Sequence, residues 1–169
     1  NGGTFAIDEE VVNLTAVAET NGERYFSLKT AMDAAQDGGK VTLVSDCTVD
    51  SAITIDKNLT LDLNGYVVSN LVESDRPFQV TAAVEFTVDG TVDGSGMEIP
   101  DGNTESFGFI KITAPATVTL SGGTYVGVTN KGAFNKPFSN EDQNIDASGC
   151  TISLYDVTAQ TNMWFLSTD

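Results

Sequence analysis

The sequence predicts an all-β chain that folds as a parallel β-helix, a solenoid of four to five stacked coils. Short stretches alternate apolar and polar residues, they recur at nearly constant spacing, and helical periodicity is almost absent from residue 40 onward. A strand with this alternation buries one of its faces, and strands that recur about every 25–35 residues are typical of coils that cover one another. The 169 residues are sufficient for one domain with a hydrophobic core.

Four copies of the alternating pattern carry this prediction. They occupy residues 59–65, 84–90, 118–122 and 152–156, and the last copy lacks the glycine with which the others end. Their final positions, 65, 90, 122 and 156, lie 25, 32 and 34 residues apart. We expect the apolar members to point inward in stacked columns: Leu59, Leu61, Leu63, Phe86, Val88, Val118, Leu120, Ile152 and Leu154.

Residues 1–39 are expected to form an N-terminal strand, a hairpin and a capping helix, and residues 40–169 to form the coils. Asn21-Gly22 is a turn dipeptide whose residues tolerate positive φ. Ser27 can cap a helix with an apolar stripe at i, i+3, i+4 and i+7. The stripe consists of Leu28, Ala31, Met32 and Ala35. Such a helix would cover the apolar end of the first coil.

Strands are predicted at 41–43, 52–56, 59–68, 78–80, 84–92, 107–113, 116–128, 150–158 and 163–167, and surface loops at 93–106 and 129–146. An antiparallel β-sandwich is the alternative, because short strands separated by turn residues also permit that fold. Strand pairing distinguishes the two, since a β-helix pairs residues about 25–35 apart in sequence.

The composition excludes several classes of function. The formal net charge of −16 repels nucleic acids and anionic membranes, and no apolar run approaches the roughly 20 residues that span a bilayer. Histidine is absent, which excludes imidazole catalysis and histidine-ligated zinc. Cys47 and Cys150 would lie several coils apart and are expected to be independent thiols. With no initiating Met and no signal-peptide pattern, we expect a mature chain or an excised piece.

Oxygen-bearing side chains are densest in and beside the 93–106 loop. Calcium takes six to eight oxygen ligands, which acidic and amide side chains in a loop can supply. The candidate calcium ligands are Asp89, Asp93, Asp101, Asn103 and Glu105. A second acidic stretch lies at 140–146. The alternative interpretation of both stretches is a solvated polar loop.

Three stretches resemble a known family. They are YFSLKTAMDAA at 25–35, GKVTL at 39–43 and ITIDKNLTLDLNG at 53–65, and SGGTY at 121–125 adds a coil-ending motif. Together they resemble bacterial cell-surface proteins with a pectin-lyase-like, right-handed parallel β-helix. The resemblance covers residues 23–158. It implies export, a location on the cell surface or outside the cell, and a structural or adhesive role.

Enzymes with pectin-lyase-like folds degrade acidic polysaccharides with clustered carboxylates, and the lyases add calcium and a basic residue. Asp62, Asp89 and Asp93 lie on predicted strands or their exits, and Lys57 and Lys111 are the bases beside strands. No pair of acids is expected to recur at one coil position beside a lysine or arginine. We therefore predict no catalytic residue and no enzymatic activity.

The predicted function is an extracellular structural or adhesive module, with no cofactor except a possible calcium ion. The alternatives are a carbohydrate-binding module and a polysaccharide-lyase-like enzyme. Expected partners are further β-helix coils or copies of the chain, and glycans that could stack on tyrosines. Gly2-Gly3-Thr4-Phe5 echoes Gly122-Gly123-Thr124-Tyr125, and the last strand has no polar cover, which suggests head-to-tail assembly into a filament. The residues assigned to assembly are Phe5, Ile7, Val12, Leu14, Trp164, Phe165 and Leu166.

Overall fold

The computed structural model describes residues 15–70, 77–93, 110–126, 138–139 and 150–160. This part of the chain is all-β with one short helix, as predicted. The elements are β1 (Ala18–Thr20), β2 (Glu23–Tyr25), α1 (Leu28–Ala34), β3 (Gly39–Leu43), β4 (Cys47–Val49), β5 (Ile53–Ile55), β6 (Leu59–Asn70), β7 (Phe78–Val80), β8 (Glu85–Asp93), β9 (Ile110–Ile112), β10 (Thr117–Ser121), β11 (Thr124–Val126), β12 (Phe138–Ser139), β13 (Thr151–Tyr155) and β14 (Thr158–Gln160).

The hairpin and the helix at the start of the described region confirm two predictions. β1 and β2 pair antiparallel across a turn in which Asn21 has φ 54° and Gly22 has φ 79°. The hydroxyl of Ser27 accepts a hydrogen bond from the backbone N–H of Thr30 at 3.5 Å and caps α1. The predicted apolar stripe of the helix is buried. α1 thus packs its apolar side against the sheet.

The main sheet is built from strands that follow one another in parallel. β3, β6, β8, β10 and β13 lie side by side in this order. Leu59 pairs with Phe86, Phe86 with Val118, and Val118 with Ile152, which gives sequence offsets of 27, 32 and 34 residues. Among the described strands, antiparallel pairing occurs only where β1 meets β2 and β3. The sheet is therefore mixed, and it is open, with β13 and β2 at its ends.

Two further ladders accompany this sheet. β5, β7, β9 and β12 form a second parallel sheet, in which Phe78 pairs with both Ile53 and Ile110. β4 pairs with the end of β6, and β11 pairs with the end of β8 and with β14. The chain thus returns repeatedly to the same ladders, and within each of these further ladders neighbouring strands pair in parallel.

The core contains most of the predicted inward columns. Buried as predicted are Leu59, Leu61, Leu63, Phe86, Val88, Val118 and Leu120. Ile152 is only half-buried, and Leu154 is 37% exposed although it is in register with the fully buried Leu120. The prediction of burial is therefore wrong for Leu154. The physical reason is that no described strand lies on the far side of β13.

Three other details differ from the sequence predictions. β4 was not predicted, and β12 lies within the stretch 129–146 that was predicted as a loop. β6 extends two residues beyond the predicted strand 59–68, and within it Asn64 and Gly65 take positive φ in an irregularity after which pairing with β8 resumes at Val67. Residues 107–109 of the predicted strand 107–113, residues 127–128 of the predicted strand 116–128 and the whole predicted strand 163–167 lie outside the described residues. No helix in the described ranges is long and apolar enough to cross a membrane.

Candidate functional site

The most conspicuous polar motif occupies residues 57–65 and begins with Lys57. The ammonium group of Lys57 donates hydrogen bonds to the carbonyl oxygens of Asp33 at 2.8 Å and Ala35 at 2.7 Å. These carbonyls belong to the end of α1, where backbone acceptors have no partner within the helix. Lys57 therefore fastens the end of α1 to the segment that leads into β6.

The two asparagines of this motif connect neighbouring turns of the chain. The backbone N–H of Asn58 donates to the carboxylate of Asp37, and the Asn58 amide oxygen accepts from the N–H of Glu85, both at 2.9 Å. The amide nitrogen of Asn64 donates to the carbonyl of Leu43 at 3.2 Å. These polar groups thus bind backbone and side-chain atoms of the flanking turns.

A charged cluster lies on the outward face of the main sheet. The ammonium of Lys40 lies 2.5 Å from a carboxylate oxygen of Asp62, and Asp62 pairs in register with Asp89 of the next strand. The expectation that no acid pair recurs at one coil position beside a basic residue is therefore wrong. Strand register brings the three residues together, although Lys40 and Asp62 are 22 positions apart in sequence.

Electrostatics determine what this cluster can do. The hydrogen bond that Lys40 donates to Asp62, followed by the charge of Asp62, raises the pKa of Lys40, and the charge of Asp89 adds to the effect. A proton-abstracting lysine requires a lowered pKa so that the neutral amine is populated near neutral pH. Lys40 is instead a permanent cation that offsets the repulsion between two stacked carboxylates.

The predicted calcium ligands are only partly within the described region. Asp89 lies on β8 between Asp62 and Ser121, and the backbone of Asp93 ends the same strand. Asp101, Asn103 and Glu105 lie outside the described residues, as does the stretch 140–146. Within the ranges that are described, no three His, Cys, Asp or Glu side chains are grouped so that they could hold a metal ion. Calcium binding stays a prediction.

The residues assigned to assembly also lie outside the described ranges. They are Phe5, Ile7, Val12, Leu14, Trp164, Phe165 and Leu166. Head-to-tail association through them stays a prediction. The described sheet nevertheless leaves apolar side chains accessible at β13, where Leu154 is 37% and Tyr155 is 61% exposed.

An open cleft of about 490 Å³ lies between the start of α1 and β4. Val17, Phe26 and Leu28 form its apolar side, and Asp46, Thr48 and Asp50 line the side formed by β4 and its flanks. The ring of Phe26 is 58% exposed. Sequence reasoning missed this cleft because it joins two segments about 20 residues apart, and no sequence pattern indicates that they meet.

Cys47 also lines the cleft, but its thiol is poorly suited to nucleophilic chemistry. Burial, with a smaller effect from the charge of Asp46, raises its pKa to about 11. Since the thiolate is the nucleophile, a thiol with this pKa is unreactive at neutral pH. Cys150 is 3.7 Å from the carbonyl oxygen of Ala114, and both cysteines are free, as predicted.

Comparisons with protein families, with curated proteins and with solved structures gave no match to this chain.

Proposed function

We propose that this chain is a structural and adhesive module of an extracellular or cell-surface protein, folded as a right-handed parallel β-helix and lacking catalytic activity. The observation that carries the proposal is that the polar side chains of residues 57–65 bind neighbouring parts of the chain. Lys57, Asn58 and Asn64 bind the turns before and after their own, so the motif holds coils together. A module whose most distinctive polar residues act in this way is suited to form a rigid scaffold.

The recurrence of the chain through three ladders supports the β-helical fold. β3 and β4 both pair with β6, and β5 pairs with β7. Each part of one turn therefore lies beside the same part of the next. The sequence offsets between paired residues in the main sheet match the predicted coil length. The antiparallel hairpin β1–β2 then serves as a cover for the first coil, in line with the need to protect an open strand edge.

The electrostatics of the outward cluster support the absence of catalysis. A polysaccharide-lyase-like enzyme is the second candidate, because Asp62, Asp89 and Lys40 combine paired carboxylates with a base. The raised pKa of Lys40 disfavours it as a proton acceptor. Of the two bases considered from the sequence, Lys57 donates to two carbonyl oxygens and is committed to structure, and Lys111 lies on β9 in the second sheet, away from the Asp62–Asp89 ladder.

The edge at β13 supports growth by further coils or copies. Its side chains continue the columns of β10 in register, but Leu154 is exposed where its partner Leu120 is buried, and the neighbouring Tyr155 is exposed as well. Exposed strand edges pair readily with added strands. A second copy or a further coil placed there would bury these side chains and extend the module along its axis.

The test combines light scattering with an activity screen. The native chain should increase in average mass with concentration, and Leu154→Asp should abolish the increase, whereas Tyr66→Ala, which removes an exposed aromatic elsewhere, should not. Acidic polysaccharides incubated with the chain, with and without calcium, should remain intact. A chain that stays monomeric at high concentration would refute assembly. Turnover that disappears in Asp62→Asn or Asp89→Asn would refute the non-enzymatic proposal.

A further inference from the structure

We propose that the β4 cleft, formed by Phe26, Asp46, Asp50 and the free edge of β4, binds an extended peptide segment that carries a lysine or arginine. The peptide would add to β4 as a strand and place its basic side chain beside one of the two carboxylates that flank β4. This interaction is separate from assembly at β13, because β4 pairs with β6 whereas β13 pairs with β10 at one end of the main sheet.

The backbone of β4 supplies the first part of the site. Cys47, Thr48 and Val49 pair with Val68, Ser69 and Asn70 of β6, and β6 is itself paired on its other side with β8. On the cleft side, β4 has no strand partner among the residues that the structure describes. Such an edge presents unpaired N–H and C=O groups, which are the elements that peptide-binding proteins use for strand addition.

The apolar side of the cleft supplies contact area for peptide side chains. Val17 and Leu28 line this side, and Phe26 presents a ring that is 58% exposed. A volume of about 490 Å³ is within the usual range of binding clefts. A strand added to β4 would direct alternate side chains toward this surface, because successive residues of a strand point to opposite faces.

The charges of the cleft determine the type of peptide. Asp46 uses one carboxylate oxygen to accept from the N–H of Val67 at 2.9 Å. In the described ranges, neither Asp46 nor Asp50 forms an ion pair, since the acidic partners of the observed pairs are Glu19, Asp33 and Asp62. Two carboxylates at the ends of one three-residue strand attract a cationic side chain and repel an acidic one. The face of Phe26 adds a further favourable contact for an ammonium or guanidinium group.

The binding test uses the full-length chain and two short peptides. One is acetyl-Thr-Val-Lys-Val-Thr-amide, and the other replaces the central lysine with glutamate. Amide NMR spectra should show shifts at Cys47–Val49 with the lysine peptide, and binding should weaken at high salt. Because the two carboxylates would repel the glutamate peptide, its affinity should be lower than that of the lysine peptide by a factor of about five or more. Equal affinity for both peptides, or no shift at β4, would overturn the proposal.

Matched variants locate the site. Phe26→Ala and Asp50→Asn should each weaken binding of the lysine peptide by about two- to fivefold, whereas Tyr66→Ala and Asp56→Asn, which alter exposed residues outside the cleft, should not. Asp50→Lys should reverse the preference toward the glutamate peptide. Binding that survives all three cleft variants would refute the site. Hydrogen exchange of the β4 amides is measured without added peptide as well. If these amides are protected at every protein concentration, then the chain fills its own cleft, and the proposal is refuted.

Discussion

Gly123 packs directly against the backbone of Gly90 in the neighbouring turn. A Cβ atom built on Gly123 would lie 2.1 Å from the carbonyl carbon and oxygen of Gly90. Gly90 in turn leaves no space for a side chain, since a Cβ there would lie 2.5 Å from the Cβ of Leu63. Gly90 and Gly123 are therefore required by the close approach of successive turns, in addition to their positive φ angles, whereas a Cβ on Gly65 would meet no atom within 4 Å.

We predict that Gly123→Ala destabilises the fold by about 4 kcal/mol or more, because backbone atoms cannot move away from the added methyl group without breaking strand pairing. Gly22→Ala is the matched control. Gly22 also has positive φ, but a Cβ there would have no neighbour within 4 Å, so the cost should be about 1 kcal/mol. Urea denaturation of both variants measures the difference. Equal losses would show that backbone conformation, and not close packing, explains Gly123.

A second prediction concerns the attachment of α1. Lys57→Met should lower the free energy of unfolding by about 2 kcal/mol, because two carbonyl acceptors at the end of the helix lose a charged donor. Lys29→Met is the control, since among the described residues Lys29 pairs with Asp33 alone, on the exposed side of the helix, and its loss should cost about 0.5 kcal/mol or less. Urea denaturation of both variants provides the measurement, and similar losses would contradict the structural role of Lys57.

Much of the fold follows from local pattern. The alternation in residues 59–63 predicts which face is buried, and the hairpin and the cap of α1 follow from Asn21-Gly22 and Ser27. Each of these features depends on residues close together in sequence, so a single sequence contains the necessary signal. Leu154 shows the limit of this reasoning, because burial depends on whether another strand covers the column, and its own alternation does not contain that information.

The candidate sites depend on relationships that the sequence pattern does not express. Lys40, Asp62 and Asp89 meet only because β3, β6 and β8 pair at one particular register. The β4 cleft likewise requires the start of α1 to lie opposite a strand that has too few residues to be recognised by alternation. Both sites therefore become visible only when strand order and register are known.

A third prediction concerns pH. The folded protein raises the pKa of the Cys47 thiol from its usual value near 9 to about 11, so the folded state retains this proton longer than the unfolded state. The associated stability is fully present below pH 9 and is lost as the pH rises from about 9 to about 11. After allowance for partial solvent screening, the loss should be about 2 kcal/mol. Urea titrations across this range should give a flatter profile for Cys47→Ala, and parallel profiles would contradict the prediction.

A fourth prediction concerns calcium. If the acidic loop at 93–106 binds the ion, then millimolar calcium should raise the melting temperature in a concentration-dependent way, because a ligand that binds only the native state stabilises it by mass action. Replacing Asp101 and Glu105 with alanine should remove the effect, while magnesium at the same ionic strength controls for charge screening. An unchanged melting temperature would leave a solvated polar loop as the interpretation.

The last prediction compares two leucines at equivalent positions on different strands. Leu61 is fully buried on β6, between neighbours on both sides, whereas Leu154 is 37% exposed on β13. Leu61→Asp should cost about 4 kcal/mol or more, because it places an unpaired charge in the core. Leu154→Asp should cost about 1 kcal/mol or less under dilute conditions, where its carboxylate can remain hydrated. Urea denaturation at low protein concentration measures both. If Leu154→Asp proves as damaging as Leu61→Asp in the monomer, then β13 is covered within the chain itself, and growth of the module from this edge is excluded.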